Sequence, residues 1–222
     1  MSRDSAVTET EDSAGRDSLM RLLGGGASAV DASVPPVAFG LVWVFSERSI
    51  VASGITAVAV GALIGVWRLT RGARPLAVLL SLLAVLVGAL IALRTGQAAD
   101  FYLIRVASNA VSGLAWMVSI AVRWPLLGLV VGTLLGQRTR WRRDPELLRA
   151  YGRASWVWVG QYLTRLAVFI PLWAANAVVA LSVAQVVLTW PLVVLCVVTS
   201  WWVLRRALPA DHPGIRHART TR

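Results

Sequence analysis

The chain has no lysine, one cysteine and two histidines, and its eleven acidic residues stay outside its long apolar runs. Each shortage removes a class of chemistry. A single cysteine, Cys196, can form neither an intrachain disulfide nor a thiolate cluster. His212 and His217 lie in the C-terminal tail, where two histidines without a cysteine or carboxylate framework make a poor metal site. Apolar runs free of Asp and Glu argue against a buried carboxylate proton relay of the kind pumps use. No phosphate-cradling glycine loop, nucleophile elbow or zinc-protease spacing occurs. Ser108, Ser112, Ser119, Thr164, Ser182 and Thr189 have no His or Lys base beside them, and read as interhelical hydrogen-bond formers. A protein that is not an enzyme, with no cofactor and no metal, is expected.

What is present is apolar length. Of 222 residues, 57% are hydrophobic, and the mean hydropathy is +0.66. Runs approaching ~20 apolar residues recur, long enough to cross ~30 Å of hydrocarbon as helices. Buried helices of a soluble protein would need a polar surface to cover them, and the chain has none of that extent. The fold class expected is all-α, a polytopic transmembrane helix bundle.

All 22 basic residues are arginine, for a net charge of +11. The absence of lysine fits a bias toward G+C-rich codons. Their placement in short loops and tails between apolar runs is the positive-inside pattern, not a nucleic-acid surface. No nucleic-acid partner is expected.

Residues 1–28 form an acidic tail and glycine-rich joint. Asp4, Glu9, Glu11, Asp12 and Asp17 among small residues cannot bury enough apolar surface to order the first eighteen positions. The stretch lacks the basic start and apolar core of a secretory signal. Leu19–Leu23 could make a short interfacial turn before the flexible Gly24-Gly25-Gly26. A transmembrane domain is expected over 29–208 and a basic tail over 209–222. The first span, Ser33–Phe45, places Pro35 and Pro36 in its opening turn, where missing N–H donors are harmless.

The second span, Ser49–Trp67, carries Gly54, Gly61 and Gly65. These form a small face for close helix approach, unless they only reflect how common glycine is in membrane helices. Arg68, Arg71 and Arg74 assign the next loop to the cytoplasm, and Leu76–Leu93 is the third span. The loop Arg94–Arg105 is less basic, holds Asp100, and offers Phe101 and Tyr102 as interface anchors.

An internal repeat organises the remainder. Residues 107–131 and 174–198 share Asn-Ala-Val, at Asn109 and Asn176, and Trp-Pro-Leu, at Trp124 and Trp190. Each copy then ends in arginine. About thirty residues as helix would reach ~45 Å, so a break at each Trp-Pro is expected. Chance similarity in an apolar alphabet is the alternative. The count then comes to about six spans with both termini cytoplasmic, every basic loop falling on the inner side.

The inner loop Gln137–Arg153 is the most basic segment. Asp144 and Pro145 suit the start of a helix, with Trp141, Tyr151, Trp156 and Trp158 near headgroup level. Arg138, Arg140, Arg142 and Arg143 are candidate contacts for anionic lipid headgroups, at about 1 kcal/mol each. They serve equally as a plain topology signal.

Arg165 is the sharpest feature. It falls near the middle of the apolar run Ala154–Pro171, where a guanidinium costs roughly 2.5–3.5 kcal/mol on insertion scales. Gln161 precedes it by one turn on the same face. Pro125 and Pro191 would leave the carbonyls of Ala121 and Val187 without helical donors, and a five-donor guanidinium could bond both. Arg165 would then fasten the two broken copies together. A candidate intramembrane polar cluster of Arg165, Gln161, Asn109 and Asn176 follows, structural in that reading and an anion site in the other. Arg123 reads as a residue of an interface or a broken helix end.

Several of these stretches together carry a resemblance. Asp31 with Pro35 and Pro36, RTGQAADFYL (Arg94–Leu103), VRWPLLG (Val122–Gly128), RASWVW with TRLAVFIPLW (Arg153–Trp173) and TWPL (Thr189–Leu192) span most of Ala29–Leu208. The chain resembles a family of uncharacterised actinobacterial multi-pass membrane proteins, domain-of-unknown-function family 3159. More distantly it is similar to the intracellular septation protein A family, in a Pro-Leu segment, a basic loop and a Trp- and Asn-bearing helix pair. That likeness implies an inner-membrane protein working in envelope synthesis or division through protein contacts. It departs in its acidic tail, its longer spans and its few identities, and implies no catalytic residue.

The functional expectation is therefore a non-enzymatic multi-pass plasma-membrane protein, a scaffold or accessory factor in envelope assembly or septation. Its partners would be the lipid bilayer, anionic headgroups at the cytoplasmic face, and other membrane proteins. The alternative is a small transporter or channel with an intramembrane arginine lining a polar cavity.

Overall fold

The computed structural model describes residues 25–134 and 140–207, with side chains except those of residues 25–32, 140 and 143. The acidic segment 1–24, Arg138 and the tail with His212 and His217 lie outside the described residues. Among the described residues all regular structure is helical. The long helices are α1 (Gly25–Phe45), α2 (Ile50–Thr70), α3 (Pro75–Thr95), α4 (Leu103–Ala121), α5 (Leu126–Leu134), α6 (Pro145–Ala174), α7 (Val178–Val187) and α8 (Trp190–Ala207). Short 3₁₀ turns fill Ala98–Tyr102 and Arg140–Arg143. The chain is a polytopic helical membrane bundle.

Local chemistry sets the helix ends. The Ser49 hydroxyl accepts from the Ala52 N–H at 3.3 Å and opens α2. Pro75 begins α3 where no donor is needed, and Gly96 ends it in the left-handed conformation with φ 72°. Asp144 caps α6 by accepting from the N–H groups of Glu146 and Leu147 at 3.0 and 3.2 Å. Helix α1 starts earlier than the sequence suggests, taking in Gly25 and Gly26. Pro35 and Pro36 therefore stand inside the helix and not in its first turn.

Four stretches are long and apolar enough to cross a membrane unaided: 50–70, 75–95, 98–121 and 178–207. Helix α1 adds the shorter apolar run Val34–Phe45. Helix α6, with 30 residues or ~45 Å, has the length but is less apolar. Its polarity is covered by neighbours: α4 and α8 flank it, and α5 and α7 meet it as well.

Two packed cores result. In one, Phe39 of α1, Ala57 of α2, Ala89 and Ala92 of α3 and Leu181 of α7 close around Phe101 and Tyr102. In the other, Leu127, Trp141, Leu147, Tyr151 and Leu204 gather at the opposite end of α6. The glycines of α2 face α3: a β-carbon on Gly65 would lie 3.0 Å from the Val78 side chain, and one on Gly54 3.5 Å from Ala89. This is the close approach small residues permit.

Three expectations change here. Phe101 and Tyr102 are not interface anchors. The 98–102 turn is buried throughout, Phe101 stacks on Phe39 with ring centroids 4.1 Å apart, and the Tyr102 hydroxyl bonds the Pro36 carbonyl and the Ser182 hydroxyl. Asp100, 6% exposed, is consequently an acid inside the bundle. Its carboxylate accepts from Trp173 Nε1 at 2.7 Å, which offsets the cost of burying it. Trp141 and Tyr151 are likewise fully buried, edge to face with centroids 5.6 Å apart, whereas Trp156 is exposed.

The repeat is reproduced in its breaks and not in its lengths. The chain turns at 122–125 and again at 188–189, next to each Trp-Pro. The piece before the first break has 19 residues and the piece before the second has 10. Asn109 consequently sits inside α4, while Asn176 sits in the α6–α7 turn with φ 52°.

Candidate functional site

The break between α7 and α8 lies inside the bundle, after the 10 residues of α7 and before the 18 of α8. Pro191 brings no N–H, and the Thr189 hydroxyl turns back to donate to the Gln185 carbonyl. The carbonyl end of α7 is thus left short of helical donors, a partial negative charge that favours a cation. Arg165 meets it. Its Nε–H donates to the Leu188 carbonyl at 3.1 Å and Nη2 to the Thr189 carbonyl at 3.4 Å. These carbonyls lie one and two residues beyond Val187, the acceptor expected from proline geometry.

The other half of the expected staple does not form. The break at Pro125 satisfies itself: Trp124 N–H bonds the Ser119 carbonyl at 2.9 Å, and Leu126 N–H reaches the Ser119 hydroxyl at 3.4 Å. It is also distant. Helices α4 and α6 run antiparallel, with Gly113 against Tyr162 and Trp116 stacked on Trp158. Ala121 is therefore roughly 17 Å farther along the axis than the level of Arg165. Arg165 fastens one broken helix and does not join two. Arg123 takes φ 54° in the Pro125 break and is exposed.

A second arginine, not singled out from the sequence, completes the site. Arg105 Nη2 donates to the Thr189 hydroxyl at 3.4 Å. Thr189 thus holds one guanidinium on its hydroxyl and another on its carbonyl. The sequence places Arg105 at the end of a loop; because the 98–102 turn folds into the bundle, it lies inside. The available signal was spacing. Arg105 and Asn109, Gln161 and Arg165, and Gln185 and Thr189 are each four apart, so three helical segments present a polar pair one turn deep. Asn109, Gln161 and Gln185 are all buried.

These groups are incompletely matched. Among the described residues, Arg105 Nε, Asn109 Nδ2, Gln161 Oε1, Gln185 Oε1 and Trp190 Nε1 are buried without a hydrogen-bond partner. Asp100 is committed to Trp173. Beside Arg105 opens a cavity of about 210 Å³ between α2, α3 and α4, with Tyr102, Ser108, Gln185, Arg68 and Leu82 among its walls.

Of the candidate polar cluster, Arg165, Gln161 and Asn109 are buried in the bundle, but none of them lines that cavity. Asn176 is elsewhere, its Oδ1 accepting from the Ala99 N–H at 3.0 Å and tying the α6–α7 turn to the 98–102 turn. Among the candidate lipid contacts, Arg142 is exposed with its guanidinium 3.8 Å from the Trp124 ring centroid. Arg138 and the side chains of Arg140 and Arg143 lie outside the described residues.

A family model described as Protein of unknown function (DUF3159) matches the chain over residues 23–211. The chain belongs to this family. The DUF3159 match takes in all the helices described above, including both broken ones. No curated protein and no solved structure matches the chain.

Proposed function

We propose that this DUF3159 chain is a non-enzymatic multi-pass protein of the bacterial plasma membrane, from an actinobacterial lineage, serving as a scaffold or accessory factor in envelope assembly or septation. The observation that carries this reading is the way Arg165 is used. Its donors are turned onto the Leu188 and Thr189 carbonyls, and it is 7% exposed. A transporter built around Arg165 would hold it against a polar cavity together with Gln161, Asn109 and Asn176.

Charge placement supports the topology. Arg68, Arg71, Arg74, Arg149, Arg153, Arg205 and Arg206 all fall at the end of the bundle where α2 and α8 finish and α6 begins. By the positive-inside rule that end is cytoplasmic, and both termini belong there. The likeness to the intracellular septation protein A family supports work through protein contacts. Crosslinking and co-purification from native membranes is the test: envelope-assembly proteins should be recovered with the chain, and recovery of the chain alone would sink the scaffold role. A reporter fused at Arg140 that signalled an external location would overturn the orientation.

A further inference from the structure

We infer that the cavity between α2, α3 and α4 binds an anionic headgroup, that of a phosphate-bearing membrane lipid, with Arg105 as the recognising group. This goes beyond the scaffold reading and does not depend on it. The first argument is the state of Arg105. One terminal nitrogen rests on the Thr189 hydroxyl at 3.4 Å, while its Nε–H is buried and has no partner among the described residues. A guanidinium forms strong paired bonds with phosphate oxygens, and here part of its fork is uncommitted.

The second argument is independent of that charge. Gln185 is 2% exposed, lines the same cavity, and its Oε1 has no partner among the described residues. That acceptor suits a hydroxyl donor, such as the glycerol of a phosphatidylglycerol headgroup carries. A neutral cavity would leave both groups as uncompensated polar burial, which costs stability.

The third argument is the lining as a whole. Among the described residues no acidic side chain lines the cavity. Arg105 stands toward its middle-of-bundle end and Arg68, near the end of α2, toward the basic end. Between them the walls are mostly apolar, with Pro35, Leu82 and Val85, and carry the hydroxyls of Ser81 and Ser108. Cations at two points of an apolar trough suit an amphiphile. A volume of about 210 Å³ admits a headgroup and a short length of chain. The remainder would leave between α3 and α4, which touch each other little. A headgroup sheds its water to reach this depth as a free anion would, but the acyl chains of a lipid stay in the hydrocarbon that surrounds the bundle and hold it there.

The test uses the full chain purified in an uncharged detergent and offered phosphatidylglycerol or phosphatidylcholine, with retained lipid read by native mass spectrometry. Wild type should retain phosphatidylglycerol over phosphatidylcholine, and Arg105→Gln should lower that retention roughly tenfold, the scale of a lost charge-assisted bond. Ser108→Trp provides a second variant. Ser108 is exposed, lines the cavity and bonds only its own helix, at the Ile104 carbonyl. The indole should fill the trough and abolish retention while the melting temperature stays at the wild-type value. Wild-type retention in both variants would overturn the site. Displacement of the lipid by inorganic phosphate at equal concentration would overturn the lipid assignment in favour of a soluble anion.

Discussion

Arg165 donates its Nε–H to the carbonyl of Leu188 at 3.1 Å, across the gap between the central helix and the end of α7. The bond joins a charge that α6 could not bury alone to a carbonyl that α7 could not satisfy alone. Bonds to charged groups are worth about 1.5–3 kcal/mol, offset in part by the cost of desolvating the guanidinium. Arg165→Leu should therefore destabilise the bundle by about 2 kcal/mol, or roughly 4–8 °C in melting temperature. Arg165→Lys should recover only part, because an ammonium cannot span both carbonyls as a fork does. Normal abundance and an unchanged melting curve for Arg165→Leu would exclude the fastener role.

Gly40 of α1 lies directly against Ser182 of α7. A β-carbon there would come within 1.8 Å of Ser182 Oγ and 2.8 Å of its Cβ. The Ser182 hydroxyl is itself held by Tyr102 at 2.6 Å, so it cannot simply turn away without breaking that bond. Gly40→Ala should cost about 1–3 kcal/mol through overpacking. Adding Ser182→Gly should restore part of that loss, and a thermodynamic cycle on the two sites should show coupling. Additive effects would mean that the two helices do not meet there.

The Asp100 carboxylate and Trp173 Nε1, 2.7 Å apart, lock the 98–102 turn to the end of α6. Asp100→Ala leaves the half-buried indole N–H without its acceptor and should destabilise by about 1 kcal/mol. Asp100→Asn keeps an oxygen acceptor and should cost less. Equal melting temperatures for wild type and Asp100→Ala would show that the turn is held by its aromatic contacts alone.

Accessibility separates a buried turn from a surface loop. In a Cys196→Ala background, which removes the single native thiol, Gln97→Cys should react readily with a membrane-impermeant maleimide. Ala99→Cys, two residues on at a fully buried position, should be protected. Equal labelling at both positions would return the segment to the membrane surface.

Much of the architecture is readable from residue order because lipid imposes simple rules. The third span, Leu76–Leu93 by its apolar run alone, is α3 over Pro75–Thr95 in the structure. The start of α6 at Asp144-Pro145 follows from capping chemistry. Depth was the quantity that periodicity could not supply. Hydropathy assigns RTGQAADFYLIR to a loop because Asp100 and Arg105 are charged. Asp100 is held by Trp173, Arg105 by Thr189 and the intervening turn by Asn176 on the Ala99 N–H, contacts that span 73 to 84 positions.

The sequence by itself determined that this chain enters the membrane as several helices, that two of its apolar stretches break beside Trp-Pro, and that one arginine must be compensated inside the bilayer. Composition and the missing proline N–H are local properties, so they can be read one segment at a time. Only the tertiary structure decided which carbonyls meet Arg165, that the Pro125 break closes on Ser119, and that Arg105 stands beside an open cavity with its Nε–H unmatched. Those outcomes depend on the relative level of antiparallel helices. That level is set by packing such as Trp116 on Trp158 and Gly40 on Ser182, contacts between residues that no local pattern pairs.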